Sequence, residues 1–139
     1  VFVKHANQLM DENSEKHLLD LRSSEKKLHL NTEQPYQEFL QRCNELKNKT
    51  MSFIKNEVKK GKKIHAYGAS TKGNTILQYY ELDDNLIDAI ADRNPDKWYR
   101  KTIGTNLEII SEEKSRSLNP DYFLILPWHY QDCFCKHKL

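Results

Sequence analysis

The sequence predicts an α/β domain: a doubly wound parallel sheet flanked by helices and preceded by a long amphipathic helix. Three observations carry that expectation. Short apolar runs at 64–67, 86–92 and 122–126 alternate with segments of helical spacing, the grammar of strand–helix–strand units. The last run, Tyr122-Phe123-Leu124-Ile125-Leu126, is apolar throughout, as strands covered on both faces of a parallel sheet are. Glycine and proline are scarce, four of each in 139 residues, so each position is informative.

Residues 1–8 alternate weakly, as a strand remnant would. Residues 9–34 are polar and charged with scattered leucines, compatible with a loop, a short helix or a linker. From Pro35 the spacing of Phe39, Cys43, Leu46, Thr50, Phe53 and Val58 predicts one face of a long helix, with Thr32 as its N-cap and Gly61 closing it. The opposite face carries Lys47, Lys49, Lys55, Lys59 and Lys60, a solvated face with cations matched to the helix C-terminus.

After Gly61 the first strand is Ile64–Tyr67, followed by a loop over 68–74 and a helix over 75–82. Leu86–Asp92 is the second strand, and a polar loop with Pro95 and Gly104 follows it. Residues 107–110 form a short extended piece. Ser111-Glu112-Glu113 opens a helix by N-cap and acidic first turn, and Asn119-Pro120 ends it before the third strand.

Composition excludes several functions. Basic and acidic residues nearly balance, 22 against 20, which predicts no polyanion-binding surface and no nucleic-acid partner. No apolar run approaches the roughly 20 residues that span a bilayer, and no signal peptide opens the chain. Three cysteines without an export signal read as reduced thiols in a cytoplasmic protein. The absence of an initiator Met reads as a fragment of something longer.

Ligands of open parallel sheets bind beyond the carboxyl ends of the strands. Each of the three strands ends there in an unusual polar segment. The first delivers Gly68 to Asn74. Gly68-x-x-x-x-Gly73 lacks the lysine of a P-loop, since Asn74 stands in its place, and this excludes an ATPase. The dinucleotide pattern G-x-G-x-x-G has Ser70 at its middle glycine, so a Cβ intrudes where the backbone must approach a pyrophosphate. Asp92, 24 residues after Gly68, sits where a ribose-binding acid belongs and keeps an NAD-type domain as an alternative. The glycines Gly68 and Gly73, the hydroxyls of Ser70, Thr71 and Thr75, and Lys72 together predict an anion site at a helix N-terminus. Otherwise they make only a tight turn.

The second segment offers Arg93 for a phosphate and Asp92 or Asn94 for a sugar hydroxyl; alternatively Asp92 caps a turn before Pro95. The third offers Trp128 and Tyr130 for stacking and His129 for a hydrogen bond; alternatively Trp128 packs over the sheet edge. Cys133, Cys135 and His137 make only three ligands together, so no metal site is expected. No catalytic triad or paired carboxylates stand out.

The run from Tyr67 to Thr75, then Leu86-Ile87-Asp88, Asp92 to Lys97, Gly104-Thr105, Pro120-Asp121-Tyr122 and Leu126-Pro127-Trp128 resembles the C-terminal domain of the sugar C-methyltransferases over residues 35–130. The resemblance implies a Rossmann-like fold that helps to hold a nucleotide-linked sugar of dTDP type. It also implies a parent whose central domain binds S-adenosylmethionine, with no cofactor in this chain and no methyl transfer by it alone. Residues 1–34 would then be the end of the preceding methyltransferase domain plus a linker, and 35–139 the substrate-binding domain. The family's loop and motif residues correspond to Gly68, Ser70, Lys72, Gly73, Asn74, Asp92, Arg93, Asn94 and Trp128; where it usually has Asn after the Trp, this chain has His129. The family also continues into another helix and strand. The expected sheet therefore lacks its final strand, leaving an edge on which a second copy could pair. A non-catalytic interaction module using the lysine-rich helix is the remaining alternative.

Overall fold

The computed structural model describes His5, Gln8 and residues 11–128. The expected strand remnant at 1–8 and everything after Trp128, including His129, Tyr130, the Cys133–His137 cluster and the expected open end of the sheet, lie outside the described residues. Two compact units divide between Leu46 and Lys47.

In the first unit, the stretch whose composition left three options open is a helix, α1 (Glu12–Lys27). Asp11 caps it, its Oδ1 accepting the Ser14 amide at 2.9 Å. Its end is closed by His29 in the left-handed conformation, φ 53°, with the Leu30 amide reaching back to the Glu25 carbonyl. No residue of α1 is buried, so caps and end charges hold it as a helix rather than a core.

The long helix α2 is Gln34–Lys59. Thr32 does not cap it: its hydroxyl donates to the His29 carbonyl at 2.8 Å. Gly61 closes it as expected, at φ +79°, with the Gly61 amide on Val58 and the Lys62 amide on Glu57. The buried line differs from the expected one. Met51, Ile54 and Val58 pack on the core, while Phe39, Leu46 and Phe53 stay exposed. Val58 belongs to the expected line and keeps its place; ahead of it the sheet takes Met51 and Ile54, each one residue beyond the expected Thr50 and Phe53. Phe53 instead sets its edge on Tyr122, with centroids 5.2 Å apart.

The second unit holds a four-stranded parallel sheet, ordered β3-β2-β1-β4. The strands are β1 (Ile64–Tyr67), β2 (Ala89–Asp92), β3 (Ile109–Ser111) and β4 (Tyr122–Ile125), with α3 (Thr71–Tyr80) after β1 and α4 (Glu112–Ser117) after β3. This is the predicted Rossmann-like α/β architecture. Side chains alternate between the faces. Ile64, Ala66 and Ile90 join Ile54, Leu77 and Tyr80 of α2 and α3 in one core. His65 and Tyr67 turn to α4, where His65 Nδ1 meets the buried Ser115 hydroxyl at 2.8 Å.

Two boundaries moved, and one strand is less buried than its sequence suggests. The helix expected at 75–82 starts at Thr71, because Ser70 caps it and its Oγ accepts the Gly73 amide at 3.1 Å. The second strand begins at Ala89, because Asp83 gathers the Leu86 and Ile87 amides into a turn. β4 is half-buried along its length, being an edge of the described sheet despite its apolar sequence. Among the described residues no helix is long and apolar enough to cross a membrane.

Candidate functional site

β1 pairs with β2 on one side and β4 on the other, so chain direction across the sheet reverses beside β1. The loops leaving β1 and β4 therefore meet at the switch point where open sheets take ligands. Their contact is tight. Gly68 sits at φ +90°, and a Cβ there would lie 2.7 Å from Pro127 Cδ. Gly73 lets the first turn of α3 lie on the sheet, since a Cβ would come within 3.0 Å of the Leu126 side chain. The first and third glycines of the dinucleotide pattern thus keep their packing roles, and the middle position is filled by a capping serine.

A cleft of about 260 Å³ opens beside this turn. Its walls are mostly apolar, with Leu77, Ile90, Ile109 and Leu126 among them, and Ser70, Thr71, Asn74, Lys101 and Thr102 add the polar groups. The far wall belongs to a tight hairpin that the sequence showed only as a polar loop. Lys101 and Glu108 bridge antiparallel, and the Thr102 amide reaches the Leu107 carbonyl. Gln78 of α3 pins the hairpin tip, donating to the Ile103 carbonyl at 2.8 Å, and Gly104 at φ +83° seats against the same side chain. Ile103 is 80% exposed at the rim. Asn74 Oδ1 is, among the described residues, the buried side-chain oxygen or nitrogen without a hydrogen-bond partner. An orphaned buried acceptor of this kind costs about 1–3 kcal/mol.

Asp92 ties the loops together. Its Oδ2 accepts the Ala69 amide at 2.7 Å and the Lys97 ammonium at 3.0 Å, and its Oδ1 accepts the Asn94 amide at 2.8 Å. Lys97 also donates to the Ala69 carbonyl at 2.8 Å, and the Trp98 indole donates to the Asp92 carbonyl at 2.7 Å. Asn94 caps a single 3-10 turn, Pro95–Lys97, by accepting the Asp96 amide.

Residues 1–138 match the family model described as C-methyltransferase C-terminal domain. The chain belongs to that family. It is also 30% identical over 95 residues to the C-methyltransferase NovU of Streptomyces niveus, a match covering 68% of this chain and 23% of that relative. The chain thus spans less than a quarter of the relative's length.

In this C-terminal domain the expected site residues do not all come together. Ser70, Thr71 and Asn74 line the cleft, Gly68 and Gly73 shape the same turn, Asp92 bonds the Ala69 amide within it, and Lys72 stands exposed in the first turn of α3. Arg93 faces the α4 side. Its Nε donates to Glu112 at 2.7 Å, beside the Tyr67 hydroxyl at 2.8 Å and Arg116 at 2.8 Å. Burial alone would raise the Glu112 carboxyl, but the bonds from Arg93, Arg116 and Tyr67 outweigh it and hold the pKa at about 2. Burial, then the bond to Glu112, pushes Tyr67 up to about 12. Asn94 engages the turn described above, and Trp128 is 68% exposed at the end of the described chain. Among the described residues no group of three or more His, Cys, Asp or Glu side chains could hold a metal.

Lys97, Lys101, Thr102 and Glu112 were missed as site-shaping residues. Lys97 carried a signal, five residues after Asp92 in the same motif. Lys101 and Thr102 carried none until the hairpin placed them. The lysine-rich face of α2 is partly engaged in ion pairs, Lys47 with Glu81 at 3.3 Å and Lys60 with Glu57 at 2.6 Å.

Proposed function

We propose that this domain holds a nucleotide-linked sugar of dTDP type for a C-methyltransferase. In this reading S-adenosylmethionine is bound by a separate domain of the parent protein, and this chain transfers no methyl group alone. The carrying observation is the apolar cleft at the carboxyl edge of the parallel sheet, beside the capped N-terminus of α3. The Thr71 and Lys72 amides in that first turn have no intrahelical acceptor, and with the Lys72 ammonium they suit a phosphate at the mouth.

The NAD-type alternative is weaker. Both Asp92 oxygens already accept protein donors, and Ser70 occupies the middle glycine position. Thermal shift tests the choice. A ligand at about 100 times its Kd adds roughly 2.7 kcal/mol of stability. A dTDP-sugar or dTDP raises the Tm, and NAD and S-adenosylmethionine leave it unchanged. A shift with NAD and none with dTDP contradicts the reading. Lys72→Ala weakens nucleotide binding by about 1–3 kcal/mol if its ammonium meets a phosphate.

A further inference from the structure

The first unit has no core of its own. No described residue from Asp11 to Leu46 is buried. Helices in proteins draw most of their stability from packing an amphipathic face, and the first half of α2 has such a face. Its polar side is settled by bonds one turn apart, Gln34 to Glu38 at 3.0 Å and Gln41 to Glu45 at 2.9 Å. Its apolar side carries Tyr36, Phe39, Leu40 and Leu46, each more than half exposed. Ile54 and Val58 repeat the positions of Tyr36 and Leu40 after about five helical turns, and there the same stripe is covered by the core. Tyr36 is also fixed in place, its hydroxyl donating to the Leu30 carbonyl at 2.9 Å. Aromatic anchors of this kind carry much of the energy of protein interfaces.

The family is described as a C-terminal domain, and the chain spans 23% of its NovU relative. The family match begins at residue 1, so the first unit is the part of the domain that a preceding region joins. A second copy fits the stripe less well. A two-fold contact uses the same patch twice. Centred on Phe39, it sets Arg42, whose guanidinium lies 5.9 Å from the Phe39 ring centroid, beside its own counterpart. Like charges so placed cost affinity. Two aromatics and two leucines, each partly covered already, also fall short of the about 800 Å² that each partner brings to a stable interface. A region tethered in the same chain needs less, because it docks at an effective concentration of about a millimolar. We propose that the stripe Tyr36, Phe39, Leu40 and Leu46 is the docking surface for the region that precedes this domain in its parent protein. The first unit is then a bracket between domains and not a passive linker. This assignment does not depend on the substrate-holding reading.

Hydrogen exchange of the parent protein and of the 139-residue chain, with the double variant Phe39→Ser/Leu46→Ser of each, tests the proposal. Both side chains are exposed, so the variants keep the β1 and β2 amides as protected as in the wild type. The amides of residues 36–46 exchange about tenfold or more slowly in the parent than in the isolated chain, and the variant parent loses that difference. The isolated chain sediments as a monomer. Equal exchange of residues 36–46 in the two wild-type proteins overturns the proposal, as does protection that survives in the variant parent. A concentration-dependent dimer of the isolated chain that the variant abolishes also overturns it and assigns the stripe to a second copy.

Discussion

The carboxylate of Asp92 lies 2.7 Å from the Ala69 amide, so the residue that ends β2 fastens the loop that leaves β1. That bond, with the Lys97 ammonium and the Asn94 amide on the same carboxylate, fixes the cleft floor before any ligand arrives. Asp92→Ala strands Lys97 and two amides. It lowers unfolding free energy by about 2–3 kcal/mol, read as a reduced urea midpoint at unchanged slope. Asp92→Asn keeps an acceptor and loses less. A loss under about 0.5 kcal/mol, the scatter of ordinary surface changes, would show that the loops hold without it.

Gly68 and Pro127 make the switch point close-packed. Gly68→Ala meets both a left-handed backbone, φ +90°, and the proline ring at 2.7 Å. The backbone term is about 1–2 kcal/mol and the overpacking term about 1–3 kcal/mol. Adding Pro127→Ala relieves the second term and not the first, so a double-mutant cycle shows coupling between the two positions. Strict additivity would mean the contact carries no strain.

The Glu112 cluster makes stability depend on acid. Its carboxyl ionises at about 2 in the folded chain against an ordinary 4.5. A depressed carboxyl stabilises the fold above its unfolded pKa, and that contribution is lost as pH falls from about 4.5 to about 2. Denaturation midpoints of the wild type therefore drop through that window. Glu112→Gln lowers the neutral-pH midpoint and flattens this part of the profile. An equally steep acid limb in the variant would place the responsible carboxylate elsewhere.

Glu81 ends α3 in the left-handed region, φ 58°, and the Leu82 amide caps back on Leu77. Glycine suits that position better by about 1 kcal/mol. The ion pair with Lys47, whose Glu81 side chain is 83% exposed, is worth less than that. Glu81→Gly raises the Tm; a fall would assign the ion pair more weight than surface pairs normally carry.

Much of this was legible in the residues, and the failures have physical reasons. Strand–helix alternation placed β1, β2, β4 and α4 within a few residues, and Ser111 capped α4 as its sequence required, accepting the Lys114 amide at 3.0 Å. Gly61 closed α2 because a Schellman turn needs φ > 0 there. Val58 of α2 packs on the core as its spacing required, but Phe53 gives way to Ile54 because both are apolar and only the sheet's position chooses between them. The start of α3 was set too late because Gly73 reads as loop; only the contact with Leu126 explains a glycine in a helical first turn. The hairpin at 101–108 was illegible because its single bridge and the Gln78 bond are tertiary. Asp92 was noticed for its spacing, but that its oxygens face Ala69, Asn94 and Lys97 required the fold.

The proposed function puts a nucleotide at the edge of the sheet between α3 and the 101–108 hairpin. Amide chemical-shift mapping of the labelled chain during titration with dTDP tests it most directly. Saturable shifts concentrated at residues 69–75 and 101–104 are expected, with α1 unmoved. Shifts absent at saturating dTDP, or confined to residues away from those two segments, would contradict it.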